Sequence, residues 1–212
     1  MTDDAVRRPT AQRELLRRWV LWTTVGEVAG FTAPALAGVL TVQARPLSAW
    51  AALVLAGMVE GAALGWAQSR VLQPLLPQLN GGRFTALTSA AAMVAYAVGM
   101  APSSLGDRLP EAPRWALVSS GVVGGVVLLA SIGTAQWLEL RRVLPRSSRW
   151  IGTTAMAWTL GLATFLAVAT PLWREGQAAP VRVAIGVGAA FAMAVVVALV
   201  TGAALVRLVG RR

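Results

Sequence analysis

Cysteine, histidine and lysine do not occur in this chain. Without Cys there is no disulfide framework. Without His or Cys the usual ligands of zinc, copper, haem and iron–sulfur clusters are missing, so no metal or cofactor is expected. Ser–His and Cys–His nucleophilic arrangements cannot be built. No Gly-rich phosphate loop with its Lys is present, so the chain is not itself a P-loop ATPase. Acid–base chemistry would rest on Glu27, Glu60 or the single tyrosine, Tyr96. The chain is thus poorly equipped as an enzyme, and a non-catalytic role is expected.

Charge is also scarce. Charged residues make up 13% of the chain, hydrophobic ones 56%, and the mean hydropathy is +0.63. Soluble domains carry about 25% charged residues, so most of this chain belongs out of water. The net charge of +10 comes from Arg alone. These arginines stand at the ends of apolar segments, where membrane topology uses them, so nucleic acid is not an expected partner.

What is present is a pattern of about 65 residues written three times. Arg18-Trp19, Arg83-Phe84 and Arg149-Trp150 open the copies. Thr23, Glu27 and Gly30 in the first match Thr88, Ala92 and Ala95 in the second and Thr154, Trp158 and Gly161 in the third. Phe31, Tyr96 and Leu162 follow in register. The later half of each copy also recurs. Ala67-Gln68 with Leu72, Leu76 and Pro77 matches Ala135-Gln136 with Leu140, Leu144 and Pro145. A fainter echo sets Gly202-Ala203-Ala204-Leu205 against Gly61-Ala62-Ala63-Leu64, which puts Leu128 and Thr201 near the position of Glu60. A repeat of this size marks an array of helix hairpins.

Six segments reach the roughly 20 apolar residues that a bilayer crossing needs: Trp19–Ala44, Pro46–Ser69, Phe84–Gly106, Trp115–Leu138, Trp150–Trp173 and Val183–Val206. Backbone in lipid must bond internally, and period-two alternation is missing, so these segments are predicted to be helices. The expected fold is an all-α integral membrane protein, six transmembrane helices as three repeated hairpins around a pseudo-threefold axis. Residues 1–17 form a cytoplasmic tail, and 18–212 a single transmembrane domain with repeats 18–82, 83–148 and 149–212. Residues 11–20 are predicted to lie as a short interfacial helix, and the acidic residues of the tail argue against a cleavable signal.

Arginines cluster in the tail, around Arg70 and Arg83, from Arg141 to Arg149, and after Arg207. Only Arg45, Arg108, Arg114, Arg174 and Arg182 fall in the other connections. The positive-inside rule then puts both termini in the cytoplasm, across the inner (cytoplasmic) membrane. Trp19, Trp22, Trp66, Trp137 and Trp150 are expected in the cytoplasmic interfacial belt, Trp50, Trp115 and Trp173 in the outer one, and Trp158 deep in its span. Asp107, Arg108, Glu111 and Arg114 read as a solvated outer loop. Pro34 and Pro102 are expected to kink or end their helices, because each lacks a backbone donor.

Thr23, Glu27 and Gly30, spaced i, i+4, i+7, share one helix face, and their counterparts do the same. Small and polar residues in membrane helices turn toward other helices. This stripe is therefore expected to face the common axis. Gly57, Gly61 and Gly65 form a second seam of close approach. Glu27 and Glu60 lie near mid-membrane depth in one hairpin, with no basic residue at that level. A carboxylate there is expensive and faces the bundle interior or a wet cavity. At least one of the two is expected to be protonated and bonded to Thr23, to the other Glu or to a carbonyl. Gln68 and Gln136 are expected to bridge neighbouring helices structurally.

Arg-Trp with Thr four residues on, joined to Gly-Ala-Ala-Leu-Gly-Trp-Ala-Gln (61–68) and Gly-Thr-Ala-Gln-Trp (133–137), resembles a class of bacterial multipass membrane proteins of uncharacterised activity that repeat RW…T…G and GxxQWxxL words. The resemblance covers residues 18–208. It implies the three-hairpin fold and supplies no activity; Glu27 and Glu60 fall outside its pattern.

Two functions stay open on the sequence. One is a small proton- or cation-linked solute transporter or channel-like protein, with Glu27, Glu60, Thr23, Trp158, Thr88 and Thr154 as its ligand- or ion-binding residues. The other is a non-catalytic membrane module, either a partner subunit of a complex (or of a homo-oligomer) or a binder of a lipid or isoprenoid. The lipid bilayer is the expected partner in both.

Overall fold

The computed structural model describes residues 3–104 and 113–210, with side chains from residue 10 onward apart from residue 179. The described residues are mostly helical, and no strand occurs among them. The helices are α1 (Asp3–Leu40), α2 (Pro46–Leu72), α3 (Gly81–Gly99), α4 (Ala101–Ser104), α5 (Arg114–Leu140), α6 (Arg149–Leu172) and α7 (Ala179–Val209). Five of them, α1, α2, α5, α6 and α7, are long and apolar enough to cross a membrane. Their length and composition fit an integral membrane protein.

The third predicted span is the exception. α3 has 19 residues, about 28 Å at 1.5 Å per residue, and carries Arg83, Thr85, Thr88, Ser89 and Tyr96. It ends at Gly99 with Met100 as its cap, and the four-residue α4, with Pro102 in it, follows. Pro102 thus marks a helix break, as expected. Pro34 does not, since α1 runs unbroken through it. Nor is there a separate element at 11–20, because those residues are the first part of the same continuous α1. The loop residues Asp107, Arg108 and Glu111 lie outside the described residues.

Neighbour order closes on itself. α1 packs on α2 and α7, α3 on α2 and α5, and α6 on α5 and α7, while α4 rests on α2 and α3. The α2–α3 seam is the tightest. A Cβ at Gly61 would come within 2.9 Å of the Thr88 carbonyl, and one at Gly65 within 2.9 Å of Thr85 Cα. Bare backbone there lets the helices touch. Cross-bonds fasten the contact: Ser89 Oγ donates to the Met58 carbonyl at 2.7 Å and Trp50 Nε1 to the Ala97 carbonyl at 3.0 Å.

The end of the bundle that carries both described chain ends is densely packed. Trp19, Phe84, Trp150, Leu72, Leu140 and Leu205 are fully buried there in one cluster with Leu76, Leu79, Leu144 and Val71. Trp19 and Trp150 meet edge to face, ring centres 5.8 Å apart. These two tryptophans are therefore core residues, contrary to the interfacial place expected of them. Their burial follows from the plug that they build with the leucines. Trp66 and Trp137 each lie under an arginine guanidinium instead, that of Arg70 and Arg141, at 4.9 Å.

The opposite end is loosely packed. Every buried residue of α5 lies from Ile132 onward, in the half near the plug. Its earlier half exposes Trp115, Val118, Val122 and Val126, an apolar surface suited to lipid.

Candidate functional site

Four-residue steps along each helix build the interior in layers. Trp19, Thr23 and Glu27 rise along one face of α1; Phe84, Thr88 and Ala92 do so on α3; Trp150, Thr154 and Trp158 on α6. One helical turn is about 3.6 residues, so each step moves one turn up the same face. The first layer is the aromatic and leucine plug. The second is polar and the third lines a cavity.

In the polar layer Gln136 is the hub. Its Nε2 donates to Gln68 Oε1 at 2.7 Å and to Thr88 Oγ1 at 3.3 Å, while its Oε1 accepts from Trp150 Nε1 at 2.8 Å. Trp19 Nε1 donates to Thr201 Oγ1 at 3.0 Å, which ties α1 to α7. Gln68, Gln136, Thr88 and Thr201 are all buried. The Gln136–Gln68 bond joins α5 to α2.

Thr201 therefore does not stand where Glu60 stands. Gly30 of α1 packs on Glu60, whereas Gly161 of α6, its counterpart, packs on Met193 and Val197. Met193 is the α7 residue at the Glu60 level, and Thr201, about two turns nearer the plug, sits with Gln68 and Gln136. The Gly-Ala-Ala-Leu echo misled because small-residue runs recur at more than one register along an Ala-rich helix.

Above the polar layer lies a cavity of about 340 Å³. α1, α2, α3, α5, α6 and α7 all contribute to its wall, which is apolar almost throughout: Phe31, Leu53, Leu128, Leu162, Phe165 and Met193 are typical. The polar exceptions are Glu27, Glu60, Tyr96 and the indole of Trp158. On the plug side the lining stops at Glu27, Leu64, Ala92, Ile132 and Trp158.

Glu27 is 1% exposed and Glu60 5%. The carboxyl groups of Glu27 and Glu60 are close enough to interact. Among the described residues, no donor reaches either oxygen of Glu27. Two acceptors cannot bond without a proton between them. Tyr96 donates its hydroxyl to Glu60 Oε2 at 2.5 Å. Among the described residues no Arg lines the cavity. No group of three or more potential metal ligands occurs among the described residues.

Of the six residues expected at the site, Glu27, Glu60 and Trp158 come together around the cavity. Thr23, Thr88 and Thr154 do not; they lie in the polar layer one turn below. Thr88 is fully bonded there, its hydroxyl donating to the Phe84 carbonyl at 2.8 Å, whereas the buried hydroxyls of Thr23 and Thr154 have no partner. Tyr96, which the sequence offers only as a potential acid–base group, also lines the cavity. The available signal was that the chain's single tyrosine holds a position where the other copies have Phe31 and Leu162. Glu139 was overlooked. Buried between α3 and α5, it accepts from the Asn80 amide at 3.3 Å and pairs with Arg83 at 3.3 Å, a helix-end clamp far from the cavity.

No protein-family model, curated protein or solved structure matches the chain.

Proposed function

We propose that this protein is a small carrier of apolar-bodied solutes in the inner (cytoplasmic) membrane, with proton exchange at Glu27 and Glu60 coupled to solute movement. The observation that carries this reading is the buried carboxyl pair on the wall of a largely apolar cavity, with no basic residue among the described residues that line it. A purely structural contact could use one amide, as Gln68 and Gln136 do one layer below. Two acids in oil are costly, and reversible protonation gives them a use.

The carrier reading takes α3 with α4 as a sixth crossing and the three hairpins as repeats around a central axis, as the resemblance to three-hairpin multipass proteins implies. Support comes from the closed neighbour order. The layers support it too: Trp19, Phe84 and Trp150 share one, Thr23, Thr88 and Thr154 the next. Sites at the centre of internal repeats are a common carrier design. With both termini cytoplasmic, the plug closes the cytoplasmic side and the cavity belongs to the outer half. Alternating access then requires the plug to loosen.

Proteoliposomes with a pH-sensitive dye inside test the reading. Addition of a panel of neutral, anionic and cationic aromatic solutes should move protons through wild type and not through Glu27→Gln or Glu60→Gln. Wild type that moves no protons with any of them refutes it.

A second reading has one observation in its favour. The outer half of α5 has no buried residue, so the cavity wall is thin on that side and an acyl or isoprenoid chain in the bilayer has an approach. On that reading the protein is a non-transporting lipid binder, and lipid would co-purify in fixed stoichiometry whether or not the Glu residues are changed.

A further inference from the structure

We infer that the solute is a monovalent organic cation with an apolar, aromatic-sized body, and that its charged centre exchanges with a proton between Glu27 and Glu60. This rests on the carrier reading and narrows it to one chemical class.

Three observations select that class. The first is the sign of the site. Both carboxyls line the cavity, and nothing positive among the described residues lines it with them. α1 presents Glu27, α2 Glu60 and α3 Tyr96, whereas α5, α6 and α7 present Leu128, Trp158 and Met193, none of them titratable. An anion has no partner here, and a neutral solute leaves the acids without a role.

The second is the want of coordination. A hard metal ion takes about six or more oxygens around it. Among the described residues, lining side-chain oxygens come from Glu27, Glu60 and Tyr96, all on α1 to α3, and the facing wall is Leu, Met and aromatic carbon. That wall suits the hydrocarbon body of an organic cation instead. Glu27 supplies the unsatisfied polar group: it is fully buried, lines the cavity and receives no hydrogen bond from another residue's donor.

The third is the aromatic lining. Trp158, Tyr96, Phe31 and Phe165 surround the cavity, Phe31 and Phe165 with ring centres 6.5 Å apart. Ring faces attract alkylated ammonium and phosphonium centres. At about 340 Å³ the cavity falls at the small end of the roughly 300–1,000 Å³ typical of ligand sites, which limits the body to a compact one.

Charge balance fixes the exchange. A site with no basic group keeps its net charge only if one proton leaves for each monovalent cation that enters. The carboxyl O–H bond breaks, the proton passes to water, and the cation takes its place beside the carboxylate. Because a proton competes for the same seat, cation binding tightens as pH rises.

Methyltriphenylphosphonium is a suitable probe, since it cannot itself lose a proton. Triphenylphosphine oxide is its neutral counterpart. In calorimetric titrations of wild type in nanodiscs, against empty nanodiscs, the phosphonium should bind about tenfold more tightly per pH unit over the range where the pair releases its proton. The oxide should bind at least tenfold more weakly with no pH dependence. Glu27→Gln and Glu60→Gln should each weaken the phosphonium at least tenfold and leave the oxide unchanged; Trp158→Leu, which keeps both acids, should weaken the phosphonium more than the oxide. Should the Gln variants fail to fold, the wild-type pH series and the Trp158→Leu comparison decide alone. Equal affinity for the oxide, a flat pH profile, or displacement of the phosphonium by excess sodium overturns the inference. If the neutral oxide proves to drive proton movement in vesicles, the carrier reading survives and only the cation assignment falls. If neither probe moves protons, the cation assignment falls, and the carrier reading falls with it once the rest of the aromatic panel moves none either.

Discussion

Tyr96 donates its hydroxyl to Glu60 at 2.5 Å across the α2–α3 seam, and the ring that carries it occupies the space where Gly57 has no side chain. A Cβ at Gly57 would overlap that ring. One glycine therefore sets the position of the only phenol and, through it, one oxygen of the acid pair. Tyr96→Phe keeps the ring and deletes the donor. Thermal unfolding in detergent should show a loss of about 1–3 kcal/mol, the usual range when a buried acceptor goes unsatisfied. Gly57→Ala should cost at least as much, since overpacking alone runs to roughly 1–3 kcal/mol and the hydroxyl is displaced as well. If Gly57→Ala is neutral, the seam is looser than described.

Gln136 makes three side-chain hydrogen bonds and Gln68 one of the same three. Interhelical bonds of this kind contribute about 0.6–2 kcal/mol in membrane proteins. Gln136→Leu should therefore destabilise the protein more than Gln68→Leu, by about 1 kcal/mol or more on that scale. The double variant should fall short of the sum, because both lose the same bond. Unfolding measurements on the three variants check this; additive effects would show that the two amides act separately.

Absence of cysteine makes topology easy to read, because each introduced thiol is the only one. Gln78 and Arg114, both exposed, flank α3 and α4. Gln78→Cys should react with a membrane-impermeant maleimide only from the cytoplasmic side and Arg114→Cys only from outside, with activity intact in both. Labelling of both from one side would remove the sixth crossing and leave five.

Much of this arrangement could be read in the sequence, and the misreadings have physical causes. Trp19, Phe84 and Trp150 stand out in the sequence because aromatic residues at fixed intervals are rare enough to notice, and the structure buries all three in one cluster. Glu27 and Glu60 stood out because acids are scarce in apolar runs, and their depth followed from helical rise alone. Trp19 and Trp150 went to the wrong environment because a tryptophan near a span's end has the same signature whether it meets headgroups or leucines. The Thr201 misplacement came from an Ala/Gly run that matches itself at several registers. The stripe through Thr23, Thr88 and Thr154 was read as one surface, whereas depth divides it, with the threonines below and Glu27, Ala92 and Trp158 at the cavity. Tyr96 could not be joined to Glu60 by spacing, since the two lie on different helices and only packing at Gly57 brings them together.

The bond from Trp19 to Thr201 has a consequence for biogenesis. α1 leaves the ribosome before α7, yet α7 holds the partner for its indole. Until α7 arrives, the cavity that Glu27 lines lacks the wall that Met193 supplies. Arrival of α7 and closing of the acid's compartment are one event, so a chain interrupted before α7 would keep an open flank and become a natural target for quality control.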